Sequence, residues 1–229
     1  MKYVITSLFL LCLISIATAQ ELQFEIRGTY TRGVSKEKLH AAKTMIDIRP
    51  GYPASMIEGY TSTKISVITS GNSREATGMN ETLNPVQQNL LKTAEVGSDI
   101  VVQIGYIHVN PVTLFPDMRE MHFVLTVVPE VEAAYPGGYQ ELSTYLKYHA
   151  INKLPEAITK KMPPVLIRFV ISDDGSIVNA RITESSKDAA IDKLLLEAIR
   201  KMPKWNPAMS AEGERIEQEF EFSVGNTGC

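Results

Sequence analysis

The stretch VLIRFVISDDGSIVNARITES, residues 165–185, constrains folding more than any other, because two runs of alternating apolar residues flank Asp174 and Gly175. Alternation of period two places every second side chain on one face of a strand. A two-residue Asp-Gly link supplies the positive φ that a type I′ turn needs at both central positions, so the stretch reads as a β-hairpin. Val165, Ile167, Phe169 and Ile171 share one face, joined by Val178, Ala180 and Ile182 from the return strand. A calcium loop running from Asp173 to Glu184 is the poorer reading, since the position that needs glycine for a sharp turn is Val178.

Periodic segments bracket this hairpin. Upstream, Tyr139, Leu142, Leu146 and Ala150 recur at helical spacing and predict a helix over residues 138–152, ending before Pro155. Downstream, Ile191, Leu194, Leu195, Ala198, Ile199 and Met202 form one apolar stripe, with Asp188 near its start and Arg200 and Lys201 near its end, as the helix dipole favours. RIEQEFEFSV, residues 215–224, alternates again. Ile216, Gln218, Phe220, Phe222 and Val224 take one face and Glu217, Glu219 and Glu221 the other. The order helix, strand, strand, helix, strand predicts an α+β layer, a three-stranded antiparallel sheet with two helices on one face.

Acids, prolines and paired glycines in PEVEAAYPGG, residues 129–138, interrupt the periodicity and mark a domain boundary. The expected organisation is a leader over residues 1–19, a strand-rich domain over 20–129, a second domain over 130–224 and a tail over 225–229. In the first domain, LQFEIRGTYTRG, TSTKISVITSG, SDIVVQIGYIHV and REMHFVLTVV read as strands. VSKEKLHAAKTMI reads as a helix with Leu39, Ala42, Met45 and Ile46 on one face. A shorter helix has Asn84 as its N-cap, Pro85 at its first position and Gly97 beyond its end.

Lys2, the apolar run at residues 4–16 and the small pattern Ala17-Thr18-Ala19 describe an export leader cut after Ala19. That run falls short of the roughly 20 residues of a membrane-spanning helix. Cleavage removes Lys2 and leaves 22 basic against 26 acidic residues, a net charge of −4. Such a surface offers nothing to nucleic acid. Cys12 leaves with the leader, so Cys229 is the one remaining thiol and no intramolecular disulfide can form.

Catalytic patterns are missing: there is no G-x-S-x-G elbow, no H-E-x-x-H and no glycine-rich phosphate loop. His108 and His122 fall on strands that could be neighbours and so could hold a metal, but no Cys or His cluster supports them and they read as surface residues. His40 and His149 sit on amphipathic helices. The expectation is therefore a non-enzymatic protein without metal or cofactor. The acidic face of Glu217, Glu219 and Glu221 is either a docking surface for a basic partner or a solvated face that discourages edge-to-edge association. In MPKWNPA, residues 202–208, Pro203 stops the helix after Met202, Pro207 keeps the chain extended, and Trp205, the single tryptophan, lays its ring over the end of the layer. Gly137 and Gly138 read as a helix entry turn.

The tracts Tyr135-Pro136-Gly137-Gly138, Asp174-Gly175 and Met202-Pro203-Lys204-Trp205-Asn206-Pro207, in this order around these elements, resemble the C-terminal domain of TonB proteins, particularly those of Bacteroidetes. The likeness covers about residues 130–224. It implies a periplasmic module that takes an extended segment of an envelope protein, such as an outer-membrane TonB-dependent receptor, by strand pairing. The pairing edge so implied is residues 215–224, with Arg215, Glu217, Glu219, Glu221 and Ser223. Full energy transducers of this kind carry an inner-membrane helix and a long proline-rich spacer; neither is expected here once the leader is set aside, so partner binding is implied more directly than energy transduction. Residues 60–128 distantly resemble the last domain of the gliding-motility and type IX secretion shaft protein. That leaves a second reading, a structural or assembly accessory of a secretion or motility apparatus, for which a homo-oligomer would speak.

Overall fold

The structure, a computed structural model, describes residues 22–109, 112, 115–155 and 162–225. The leader, its cleavage after Ala19 and Cys229 lie outside the described residues. Among the described residues, a five-stranded and a four-stranded β-sheet, each with its own apolar core, organise the chain, beside a small two-stranded ribbon. After an opening strand β1 (Phe24–Gly28), the chain enters the first sheet. This sheet contains β2 (Gly33–Ser35), β3 (Gly59–Thr69), β4 (Asn72–Gly78), β5 (Asp99–Val109) and β6 (Pro116–Val128), in the order β2-β6-β5-β3-β4. Alternation buries Ile65, Val67, Ile100, Val102, Ile104, Phe123 and Leu125. Leu39 of helix α1 (Lys36–Ala41), Met45 and Ile48 of α2 (Met45–Ile48), and Leu90 and Leu91 of α3 (Pro85–Lys92) belong to the same core.

Local chemistry sets these helix ends. Residues 34–46, expected as one helix, break at Thr44, whose side chain caps α2 while the Asp47 carboxylate accepts from the Thr44 backbone N–H at 2.8 Å. The break turns the stripe, so Ile46 is 44% exposed and Ile48 is buried in its place. Asn84 and Gln87 cap α3 reciprocally at 2.9 and 3.0 Å, and the buried Gln87 amide also donates to the Thr63 carbonyl at 3.3 Å. Gly97 does not end α3 directly; the helix closes at Thr93 and Gly97 serves the following turn with φ of 86°. Strand β4 goes unanticipated because its only buried side chain is Ala76, which leaves no apolar alternation to read.

The second sheet is built from β7 (Val165–Ile171), β8 (Ile177–Glu184) and β11 (Gln218–Val224), with helices α4 (Gly138–His149) and α5 (Ala189–Arg200). Val165, Ile167, Phe169 and Ile171 pack in one core with Leu142 and Leu146 of α4 and Ile191, Leu195 and Ile199 of α5. The α+β layer is as expected, with one correction. The sheet has four strands, in the order β1-β11-β7-β8, and the fourth comes from residues expected with the N-terminal domain.

Two features of the hairpin also differ from the periodic reading. Ser172 N–H donates to the Ser176 carbonyl and Gly175 N–H to the Ser172 carbonyl, both at 2.9 Å, so the loop is three residues long with only Gly175 at positive φ. That is a type I turn followed by a left-handed glycine, not a type I′ turn. In β8, Asn179 sits at φ of 54° where the β7 register shifts. The extra residue changes the phase, and Ile177 rather than Val178 joins Ala180 and Ile182 against the core. The last strand is interrupted as well, since β10 (Arg215–Ile216) pairs with β9 (Ala208–Met209) before β11 begins.

Asn84→Ala removes the capping bond to Gln87 and the 2.7 Å bond from its amide to the Thr77 carbonyl. It is expected to lower stability by about 1 kcal/mol, read from the midpoint of urea unfolding.

Candidate protein-binding edge

Strand β11 lies inside its sheet with a neighbour on each side. On one side it pairs antiparallel with β7, from Gln218↔Ile171 to Val224↔Val165. On the other it pairs antiparallel with β1, from Phe24↔Val224 to Gly28↔Phe220. Bonds from Gly225 N–H to the Gln23 carbonyl at 3.1 Å and from Thr29 N–H to the Glu219 carbonyl at 3.4 Å extend this ladder at both ends. The edge expected to be free for a partner is thus held by the protein's own β1. Of the five residues assigned to it, Glu219, Glu221 and Ser223 are on β11, whereas Arg215 belongs to β10 and Glu217 to the break between the two strands.

The acidic face of β11 is neutralised from within. Glu221 stands in register with Arg27 of β1 and Arg168 of β7, its two oxygens 3.5 and 3.1 Å from their guanidinium nitrogens, and its side chain is only 10% exposed. Glu219 takes a 2.8 Å ion pair from Arg181 of β8. The reading of a solvated acidic face therefore fails at Glu221, because arginines on both neighbouring strands cover it. Outside β1, a groove of about 900 Å³ runs between that strand and α4, lined among others by Phe24, Arg27, Tyr139, Ser143 and Val224.

The corner that closes the core is built from the three tracts singled out in the sequence. Gly138 N–H bonds the Tyr135 carbonyl at 2.8 Å, and Gly137 has φ of 82° and ψ of 0°, a type II turn with Pro136 at its second position that leads into α4. Trp205, 5% exposed, packs edge-on against Tyr135 with ring centroids 5.6 Å apart and lies 5.2 Å from Phe220. Its backbone N–H donates to the Gly175 carbonyl at 2.9 Å, and a Cβ on Gly175 would come within 2.1 Å of the Trp205 carbonyl oxygen. Asn206 and Ala134 exchange two backbone bonds at 2.9 Å, which fixes the extended stretch around Pro207. Pro203 is exposed and follows Met202, whose side chain is buried at the end of the α5 stripe.

Asp174 holds the turn to this corner. Lys204 Nζ lies 2.6 Å from its carboxylate, and Ser172 Oγ and Ser176 N–H donate to it at 2.7 and 2.9 Å. These bonds, the one from Lys204 foremost, keep the Asp174 carboxyl well below the usual carboxylate range. The metal reading of the histidines finds no geometric basis. His108 is opposite Asp117 and His122 opposite Gln103, five positions apart along β5 and so about 17 Å at 3.4 Å per residue. Among the described residues no group of three or more His, Cys, Asp or Glu side chains could hold a metal ion.

A sheet ending in an alternating strand, two helices on one face and this aromatic corner match the expectation drawn from the motifs. The family model for the Gram-negative bacterial TonB protein C-terminal matches residues 161–224. The TonB C-terminal match takes in β7 to β11 and α5, and leaves β1, α4 and residues 60–128 outside it. No curated protein and no solved structure matches the chain. No helix among the described residues is long and apolar enough to cross a membrane.

The part played by β1 escaped the sequence reading. FEIRG alternates as a strand should, but nothing local names the sheet it joins; only Arg27, of opposite charge to Glu221, hints at it. Trp205→Ala removes a ring packed against three aromatic side chains and is expected to cost about 3–5 kcal/mol, measured by chemical denaturation followed by circular dichroism. Lys204→Ala should raise the Asp174 pKa toward its ordinary value of 3.8, followed by NMR titration of the carboxyl carbon. Because the folded-state pKa is depressed, the stabilisation lost in this variant is present above the ordinary carboxylate range. It disappears as pH falls through that range toward the folded-state value.

Proposed function

We propose that the chain is a non-enzymatic, periplasmic protein-binding module of the TonB type. It engages an outer-membrane TonB-dependent transport component by pairing an extended segment of that partner with its C-terminal sheet. The observation that carries this reading is the family match over residues 161–224, which ends on β11, together with the occupancy of the β11 edge by a separate five-residue strand. An edge that one short strand can fill offers main-chain donors and acceptors in register for another of the same kind. Main-chain bonds then supply affinity and alternate side chains supply selection. The export leader expected over residues 1–19 agrees with a periplasmic location.

The aromatic corner and the buried cores give the module a rigid frame, and the edge gives it adaptability. Affinity for an added strand is then set by a few side chains and by how far the segment is already extended before it binds. Titrating the mature chain, starting at Gln20, with a purified TonB-dependent receptor from the same outer membrane tests the proposal by calorimetry. Saturable one-to-one binding is the expected result. Absence of heat and of co-elution at micromolar concentrations, with the chain shown to be folded, overturns it. A stable homo-oligomer that ignores the receptor would favour an assembly accessory instead.

A further inference from the structure

We propose that β1 is a built-in occupant of the partner site on β11, displaced when the partner's extended segment binds, and that its sequence states what that segment must carry. The segment needs apolar side chains at two alternate positions, in place of Phe24 and Ile26, and a basic residue facing Glu221, in place of Arg27. This rests on the strand-pairing function proposed above and adds the closed state and the partner's chemistry.

The bonding pattern is that of a detachable strand. In this ladder Gln23 and Thr29 bond β11, and alternation along an antiparallel pair assigns Glu25 and Arg27 to the same side. The backbone of Phe24, Ile26 and Gly28 is turned away from β11. Phe24 and Ile26 pack at the rim of the core and are only partly buried, whereas the β7 residues Val165, Ile167, Phe169 and Ile171 are fully buried within it. Loss of β1 uncovers the rim and leaves the pairing of β11 with β7 whole. Glu221 is shared: Arg168 of β7 holds one carboxylate oxygen whether or not β1 is present, and Arg27 approaches the other. Departure of β1 frees that second oxygen on a largely buried carboxylate, which an incoming lysine or arginine can take. The groove between β1 and α4 is open space next to the strand, so exchange needs no movement of the helix.

The test uses a fluorescent peptide LQFEIRG, the sequence of residues 22–28, and the full mature chain carrying Glu25→Cys, Ser223→Cys and Cys229→Ser. Residues 25 and 223 are direct cross-strand partners, and a spacing of about 5.5 Å between their Cα atoms suits a disulfide. The reduced chain is expected to bind the peptide, and oxidation to weaken binding at least tenfold. A peptide with glutamate in place of its arginine should bind the reduced chain at least tenfold more weakly. Phe24→Ser with Ile26→Ser, which loosens β1 from the rim, should strengthen binding at least tenfold. Should that variant prove unfolded by circular dichroism, the oxidised and reduced forms still decide.

Equal binding by locked and reduced chains, or no peptide binding by either reduced or loosened chain, overturns the proposal. A dimer that forms with concentration and vanishes on locking overturns it in favour of a second copy as the occupant. The peptide arm involves no receptor, which separates the two readings. Receptor binding that survives the lock removes this inference alone, and intact peptide exchange without receptor binding removes the proposed function alone.

Discussion

The antiparallel pairing of β1 with β11 joins residues 24–28 to residues 220–224, nearly the whole length of the chain apart. Through it the C-terminal sheet acquires its fourth strand, Glu221 acquires its second arginine, and the chain that leads into the first sheet is tied to the second. Residues 29–32 bridge β1 to β2 of the first sheet, and Tyr30 hydroxyl donates to Glu132 of the segment that joins the two units. Burial and this bond to Glu132 push the Tyr30 phenol above its ordinary pKa, so it stays protonated and a donor. The two cores are separate, but the chain path crosses between them twice, once at residues 29–32 and once at residues 129–137.

Electrostatics on the C-terminal sheet follow from that arrangement. A strand with Glu at alternate positions would repel a neighbour of like charge, and here both neighbours place arginine opposite: Arg27 and Arg168 on Glu221, and Arg181 from the next strand on Glu219. Exposed ion pairs of this kind stabilise little, whereas the covered Glu221 would be costly to leave without a cation. The charges set register more than they add stability. A one-residue slip of β1 would put Glu25 or Arg27 against the core and Phe24 in water.

Much of the C-terminal layer was legible because its signals are local. The stripe from Ile191 to Met202, the alternation of Val165 to Ile171 and the helix entry at Tyr135-Pro136-Gly137-Gly138 each specify one element without reference to any other. What was misread depends on tertiary context. The bulge at Asn179 is invisible to a period-two pattern, and the turn at Asp174 lengthens to three residues because its carboxylate is engaged by Ser172, Ser176 and Lys204. The candidate edge shows the same limit. Alternation in FEIRG identifies a strand, yet its partner lies almost two hundred residues away, and strand pairing at that range leaves no mark in periodicity.

The distance between β1 and β11 also bears on how the protein is made. Pairings of such long range close late, because a large loop must be ordered before they repay its entropy. β1 precedes β11 by almost two hundred residues, so β1 waits without its strand partner while the intervening chain is made. Its alternating Glu25 and Arg27 then serve as gatekeepers, keeping a short waiting strand from pairing with other unfinished chains until its own partner arrives.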